Sequence, residues 1–408
     1  MDKMNIDKRK TQLNNKKIFM LLLISLFVFP QELRSILGEK MFTINMMGIV
    51  SLVLLIINNF RGINKKKIIF LFITILVYMS TAVFYENNIM NIGTVIILFL
   101  TPLSLTIIEV DKQILKDIFK WTILILNIII IIITVVGILE IIFNININIA
   151  ISKFMSQRTQ EQILLSSVSG DAKRLYSFMG HPLFNTELYL MFFVLNILYN
   201  KYFNEACCPI WILIISIIGI AFTGSKSGFV LLCLGIIVLF KCNNKIKKTL
   251  IIICGIIIAF QTGLFDTLIS RFTSESLTTG RSEKWIQVQS MNIFPIKFFA
   301  GYGRGFTFKL NSYTDWASAA FEYPMRMFSL ELGILITIMM YIFIMIIPII
   351  TLMKRKHYFL IVSYLIVFLD VNTFNGLSTS GDKMIIFCLF TFLILNLSNL
   401  VQVYKADK

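Results

Sequence analysis

The chain has 408 residues, of which 57% are hydrophobic and only 15% charged, and it carries a formal net charge of +16. No soluble globular class fits that balance. Nucleic-acid binding does not fit either, because the basic residues bracket apolar runs instead of forming one patch.

The polar, basic opening from Met1 to Lys17 leads into an apolar run at Ile18. No small-residue cleavage site follows it, so the spacing predicts a retained first helix and not a removed signal peptide. Further apolar runs recur along the chain, and a bilayer core takes about 20 apolar residues per helix. Spans are predicted over 18–37, 41–58, 68–85, 89–108, 118–143, 182–200, 209–224, 227–240, 249–265, 326–350, 358–375 and 383–402. Pro30, Gln31, Glu32 and Arg34 interrupt the first. The fold class is therefore all-α: a polytopic integral membrane protein of about twelve transmembrane helices. No Pro-rich linker, charge block or repeat marks a soluble part, so 1–408 reads as a single membrane domain.

Orientation follows from the short loops, where lysine and arginine collect on the cytoplasmic side. With the N-terminus inside, that side receives Arg61 and Lys65–Lys67, then Lys112, Lys116 and Lys201. Lys241–Lys248 and Lys354–Lys356 follow, and the tail ends there too, so both termini are expected in the cytoplasm. Two long loops, about 144–181 and 266–322, are left on the opposite, extracytoplasmic face. They carry Lys153, Arg158, Lys173 and Arg174, then Arg271, Arg281, Lys284, Lys297, Arg304 and Lys309. Long loops translocate despite such charge. Outward arginines suit an anionic ligand, above all a phosphate that a guanidinium fork can grip; contact with lipid headgroups is the alternative.

The six cysteines (Cys207, Cys208, Cys233, Cys242, Cys254 and Cys388) fall in spans or cytoplasmic loops, so no extracytoplasmic disulfide or thiolate metal site is expected. His181 and His357 are too few for a zinc cluster, and no metal site is expected.

Four polar constellations stand out. The first runs from Arg174 through His181 and Pro182 to Asn185 and Glu187, entering the sixth span. Pro182 suits a first helical turn. An ionisable Glu187 inside an apolar helix takes a functional or paired role, unless it sits at the interface. The second is Thr223-Gly-Ser-Lys226-Ser-Gly228, a tight turn between two spans, with Lys226 as an anion contact or a solvated tip.

The third is Thr279-Gly-Arg281-Ser-Glu283-Lys-Trp285, followed by Gly301-Tyr302-Gly303-Arg304-Gly305. Arg281 and Trp285 are four apart, so they share a helix face and the indole can stack on the guanidinium; an interfacial amphipathic helix is the other reading. The fourth is Glu322-Tyr-Pro-Met-Arg326 continuing to Glu331-Leu-Gly333. There Glu322 stands at the water boundary, able to accept a proton, while Arg326 either grips an anion or snorkels.

In this order the four segments resemble the O-antigen ligase and polymerase superfamily of bacterial membrane glycosyltransferases. Arg174, Gly180, Pro182 and Asn185 match its arginine and helix entry; Thr223 to Gly228 match its turn. Gly280-Arg281 with Trp285, Gly301-Tyr-Gly303 and Glu331-Leu-Gly333 match the rest, over about 160 residues from Arg174 to Gly333. Lys226 stands where the family has arginine, and Glu322 where its ligases have histidine. That departure points away from a ligase and toward the polymerase branch.

The resemblance implies a GT-C-like fold in the cytoplasmic membrane of a bacterium. It implies polymerisation of undecaprenyl-diphosphate-linked repeat units into a surface polysaccharide, which could be O-antigen, capsule or exopolysaccharide. No cofactor is expected, because the lipid-linked donor is already activated. Its partners would be the lipid-linked donor and acceptor and membrane lipids, with a chain-length regulator and a flippase alongside. Glu322 (or in its place His181) would be the base and Arg281 and Arg174 would stabilise the leaving diphosphate. Substrate contacts would come from His181, Asn185, Lys226, Trp285, Tyr302, Arg304 and Arg326. The rival readings are a ligase-type glycan transferase, a lipid-linked oligosaccharide flippase, and a secondary transporter using Glu140, Glu331 and Asp370.

Overall fold

Proline and glycine positions set where the helices start, bend and stop. The computed structural model describes residues 14–59, 63–85, 87–143, 174–203, 207–240, 269, 272–273, 281–310, 323–378 and 381–406, together with 145–164 apart from 156, 158, 159 and 162. Among these residues there are helices and no strands.

The first predicted span is two helices, α1 (Asn14–Val28) and α2 (Gln31–Leu37), at 86° to one another. Pro30 between them lacks an N–H and cannot continue the ladder. Arg34 reaches back to the break, donating to the carbonyls of Ser25 at 3.2 Å and Phe29 at 2.8 Å. The same guanidinium nitrogen pairs with Asp382 at 2.7 Å. The polar residues that interrupt the run thus satisfy the backbone groups that the break releases.

Next come α3 (Met46–Asn58), α4 (Lys65–Phe84) and α5 (Ile89–Ile107). Side chains of Asn45 and Asn64 cap the first two by accepting backbone N–H groups, as N-cap asparagines do. The second half of α5 changes pitch at Ile96–Leu100 and again at Thr101–Ile107, where Pro102 sits. Then follow α6 (Lys112–Phe143), α7 (Pro182–Tyr202), α8 (Pro209–Thr223) and α9 (Lys226–Val238). The last five are α10 (Arg281–Ser290), α11 (Pro324–Leu332), α12 (Ile334–Lys354), α13 (Tyr358–Thr373) and α14 (Gly381–Ala406).

Among the described residues six helices are long and apolar enough to cross a membrane: α4, α5, α6, α7, α12 and α14; the bent α1–α2 pair makes a seventh if it is one span. This is the make-up of a helical membrane protein. The helices α3, α8, α9 and α13 occupy four predicted spans but have only 13 to 16 residues. The Asn45 cap shortens α3; the bounds of the other three lie within two residues of the predicted ones. The span predicted at 326–350 starts later, because Gly333 at φ +91° separates α11 from α12. The span predicted at 249–265 lies outside the described residues.

The core lies along α7 and α14, where 94% and 89% of the apolar stretch is inside the protein, against 22% for α4. Around α7 pack α6, α8, α9 and α13; around α14 pack α5, α6, α12 and α13. Asn396 in α14 accepts from the N–H of Val110 at 3.0 Å and donates to the carbonyl of Ile108 at 3.0 Å. That one side chain holds the backbone just beyond α5.

Candidate functional site

The four constellations that the sequence separates are brought together by backbone and side-chain hydrogen bonds. Leu175 N–H donates to the Phe222 carbonyl at 2.9 Å, and Arg174 Nε donates to the Thr223 carbonyl at 2.8 Å. The Arg174 segment is therefore laid against the end of α8. Asn185, fully buried in the second turn of α7, donates to the carbonyls of Leu175 at 3.0 Å and Tyr176 at 2.9 Å and accepts from Ser177 Oγ at 3.2 Å. It thereby holds the Arg174 loop against the start of α7. Thr186 next to it donates to Thr223 Oγ1 at 2.8 Å. Only glycine fits at 228, since a Cβ there would meet the Thr186 methyl at 2.2 Å.

Arg281 begins α10 and reaches the end of α13, donating to the Thr373 carbonyl at 3.0 Å. The Thr373 hydroxyl in turn donates to Ser227 Oγ at 3.0 Å, beside Lys226 at the start of α9. The Arg326 guanidinium reaches the Arg281 carbonyl at 3.5 Å and lies over two rings, Tyr323 at 4.7 Å and Trp285 at 5.3 Å. The Arg326 guanidinium thus reaches Trp285 from another helix, a contact that sequence spacing does not give. Cation and ring are worth about 0.5–2 kcal/mol in such a pair.

His181 caps α7, with Nδ1 accepting the N–H of Leu183 at 3.2 Å. Its pKa is held well below the usual histidine value, first by burial and then by the positive charges of Lys383, Arg174 and Arg281. A neutral imidazole whose Nδ1 is already an acceptor presents Nε2–H. His181 is therefore placed as a neutral hydrogen-bond donor among three cations, which suits an anion's oxygen better than it suits a proton to be removed. Lys383, at the start of α14, also lies 5.3 Å over the Phe184 ring. Gly180 before the histidine has φ +82°, and the Glu32 carboxyl fills the space a Cβ would take, 2.1 Å from it.

Two expected residues lie elsewhere. Tyr302 and Arg304 belong to a segment stitched under the α11–α12 break. There Tyr302 N–H donates to the Leu330 carbonyl at 2.8 Å, Gly303 N–H to that of Glu331 at 3.0 Å, and Ile334 N–H to that of Lys297 at 3.0 Å. Tyr302 stacks on Phe306 with ring centroids 4.4 Å apart, and its hydroxyl donates to the Pro295 carbonyl at 2.8 Å. These contacts hold its ring and its hydroxyl. The Glu331 carboxylate accepts from Thr307 N–H at 3.2 Å and Thr307 Oγ1 at 2.6 Å. Burial raises its pKa, while the Thr307 bonds and then the Arg304 charge oppose the rise. Glu322 and Gly280 lie outside the described residues.

Sequence reasoning missed Lys383, Thr373, Glu32 and Ser177. A signal existed for the first two in the polar break Asn375-Gly-Leu-Ser-Thr-Ser-Gly-Asp-Lys383 between two apolar runs. Nothing in the first span marked Glu32 as a neighbour of residue 180. No group of three or more potential metal-ligating side chains occurs among the described residues. No model of a known protein family, no curated protein and no solved structure matches the chain.

Proposed function

We propose that this protein is a membrane glycosyltransferase that polymerises polyisoprenoid-diphosphate-linked repeat units into a surface polysaccharide, with its site on the extracytoplasmic face. The observation that carries the reading is the chain of hydrogen bonds that gathers Arg174 at the Thr223 carbonyl, Arg281 at the Thr373 carbonyl beside Ser227, and Arg326 at the Arg281 carbonyl, with Lys383 bearing on the same His181 as Arg174 and Arg281. Four donors around one place suit a diphosphate, whose charge grows as the glycosyl carbon–oxygen bond breaks. The acceptor hydroxyl attacks the anomeric carbon, a base takes the hydroxyl proton, and the lipid diphosphate departs with the bond's electron pair. Glu322 remains the proposed base. His181 becomes a donor to the leaving group in this scheme. GT-C-like architecture, residence in a bacterial cytoplasmic membrane with both termini inside, and partnership with a flippase and a chain-length regulator belong to the same proposal.

The experiment is to delete the gene, complement it with variants, and size the surface glycan on a gel. Arg281→Ala and Arg174→Ala should each leave insertion intact and cut polymer formation about 10²–10³-fold, the loss typical of one transition-state donor. Arg281→Lys should rescue poorly, because an ammonium lacks the fork. Glu322→Gln should stop chain growth. Full-length polymer in both alanine variants would remove the cations from the mechanism. Secondary transport is the second reading. It is favoured by two carboxyls inside the bundle, Glu187 and Asp370, that no partner accounts for.

A further inference from the structure

Most acids inside the bundle have a structural task. Glu140 accepts backbone N–H groups from Ile147 at 2.9 Å and Ser177 at 3.2 Å, Glu331 accepts from Thr307, and Asp382 pairs with Arg34. Glu187 on α7 and Asp370 on α13 differ. They are 0% and 1% exposed, and none of their four carboxyl oxygens has a hydrogen-bond partner among the described residues. Their helices pack against each other, and Asp370 is the acid whose charge bears on Glu187.

The surrounding elements supply little positive charge. α8 has no ionisable residue. α9 brings Cys233 and, at its tip, Lys226; α13 itself adds Tyr364. α6 brings Glu140, already bonded, at its end near Ser177, and α12 brings Tyr341, bonded to Asn372 at 2.5 Å. α14 brings Asp382, Cys388 and Lys383. Lys383 bears on Glu187, but it also bears on Glu32 and Asp382, and it is not among the influences on Asp370. A bare buried carboxylate costs several kcal/mol, and two side by side cost more. One shared ammonium cannot neutralise both. At least one further positive charge is needed between α7 and α13.

We propose that Glu187 and Asp370 form a binding site for a small monovalent cation, a proton or Na⁺, inside the helix bundle. The site lies one turn below the arginine cluster. The Asp370 carbonyl accepts the Thr373 hydroxyl at 2.8 Å, and the Thr373 carbonyl is the one that receives Arg281. Occupancy therefore changes the charge beneath the turn that positions Arg281. The proposal does not depend on glycosyl transfer and applies equally to a transporter.

The test is infrared spectroscopy of the purified full-length protein in lipid nanodiscs. In sodium-free choline buffer at neutral pH, the wild type should show the carbonyl band of an un-ionised carboxylic acid, shifting on exchange into D₂O. Glu187→Gln and Asp370→Asn should each lower that band. Where a variant fails to fold, Glu187→Asp and Asp370→Glu should move the band instead. Added NaCl then separates the two sources. A band that persists identifies the proton. A band that fades as carboxylate bands grow, with choline chloride inert, identifies Na⁺. Absence of the band in choline, or a band unmoved by any of the four variants, overturns the proposal.

Discussion

At the scale of single residues, hydrogen-bond direction decides roles that residue type leaves open. Histidine at 181 reads from sequence as a substrate contact or, in place of Glu322, as the base, yet its Nδ1 serves the helix start, and burial first and then three cations hold its pKa down. The sign of the pH effect follows. A group whose folded pKa is depressed stabilises the fold above its unfolded value, about 6.5 for histidine, and that stability is lost as pH falls. Below that point the unfolded chain binds a proton that the folded one refuses, at up to about 1.4 kcal/mol per pH unit. Thermal unfolding in detergent should show a midpoint falling from pH 7.5 to 5.5, with a shallower fall in His181→Asn, which keeps an N-cap acceptor. An equal slope in both proteins would exclude His181 as the source. Asn185→Ala leaves two buried carbonyls and a serine hydroxyl without their partner, each worth about 1–3 kcal/mol. It should lower the unfolding midpoint more than His181→Asn does at pH 7.5.

At the scale of elements, most helix bounds were legible, and the caps and breaks inside the apolar runs were not. Pro182 opens α7 as expected, and Pro30 breaks the first span as its neighbours implied. The apolar runs at 209–224, 227–240 and 358–375 became helices within two residues of those bounds, whereas the helix in the run at 41–58 starts only at Met46, since hydropathy does not report where a side chain such as Asn45 will cap. The glycines of the third and fourth constellations show why local reading separated what the fold joins. A Cβ at Gly333 would lie 1.3 Å from the Phe299 carbonyl oxygen, and one at Gly301 would lie 2.2 Å from that of Leu330. The two motifs are halves of one close backbone crossing. Gly333→Ala should therefore lose folded protein in detergent extracts. Gly305→Ala, at φ +79° with nothing within 4 Å of the added carbon, should cost only the backbone strain of about 1–2 kcal/mol. Equal yields would contradict the crossing.

At the scale of the whole molecule, several basic residues of the short loops are tied to neighbouring helices. Lys16 pairs with Asp117 at 3.2 Å, Lys201 lies 3.2 Å over the Phe359 ring, and Arg355 donates to Ser398 at 2.5 Å; the three basic residues belong to segments that the loop rule assigns to the cytoplasm. Reporter fusions after Lys67, Lys116, Lys248 and Lys356 should read cytoplasmic, and those near Gln160 and Asn311 outside. The reverse reading at Lys248 and Asn311 would move the arginine cluster to the cytoplasm and end the lipid-linked-glycan proposal. The cluster's members were legible one by one as arginines in long loops. Their meeting was not, because it depends on Thr373 and Lys383, which lie 92 and 202 residues beyond Arg281 and His181 respectively.

Asn396 carries a consequence for biosynthesis. The backbone at Ile108 and Val110 receives its partner from a residue 286 to 288 positions later. A ribosome adding about 5–20 residues per second needs about 15–60 s to cover that distance. Throughout that interval the nascent chain holds an unsatisfied stretch of main chain and an unsheathed face of α5. Newly made protein should therefore be a substrate for membrane chaperones and proteases until its final helix is inserted. A chain stopped before Gly381 should decay faster in pulse-chase than the full-length one.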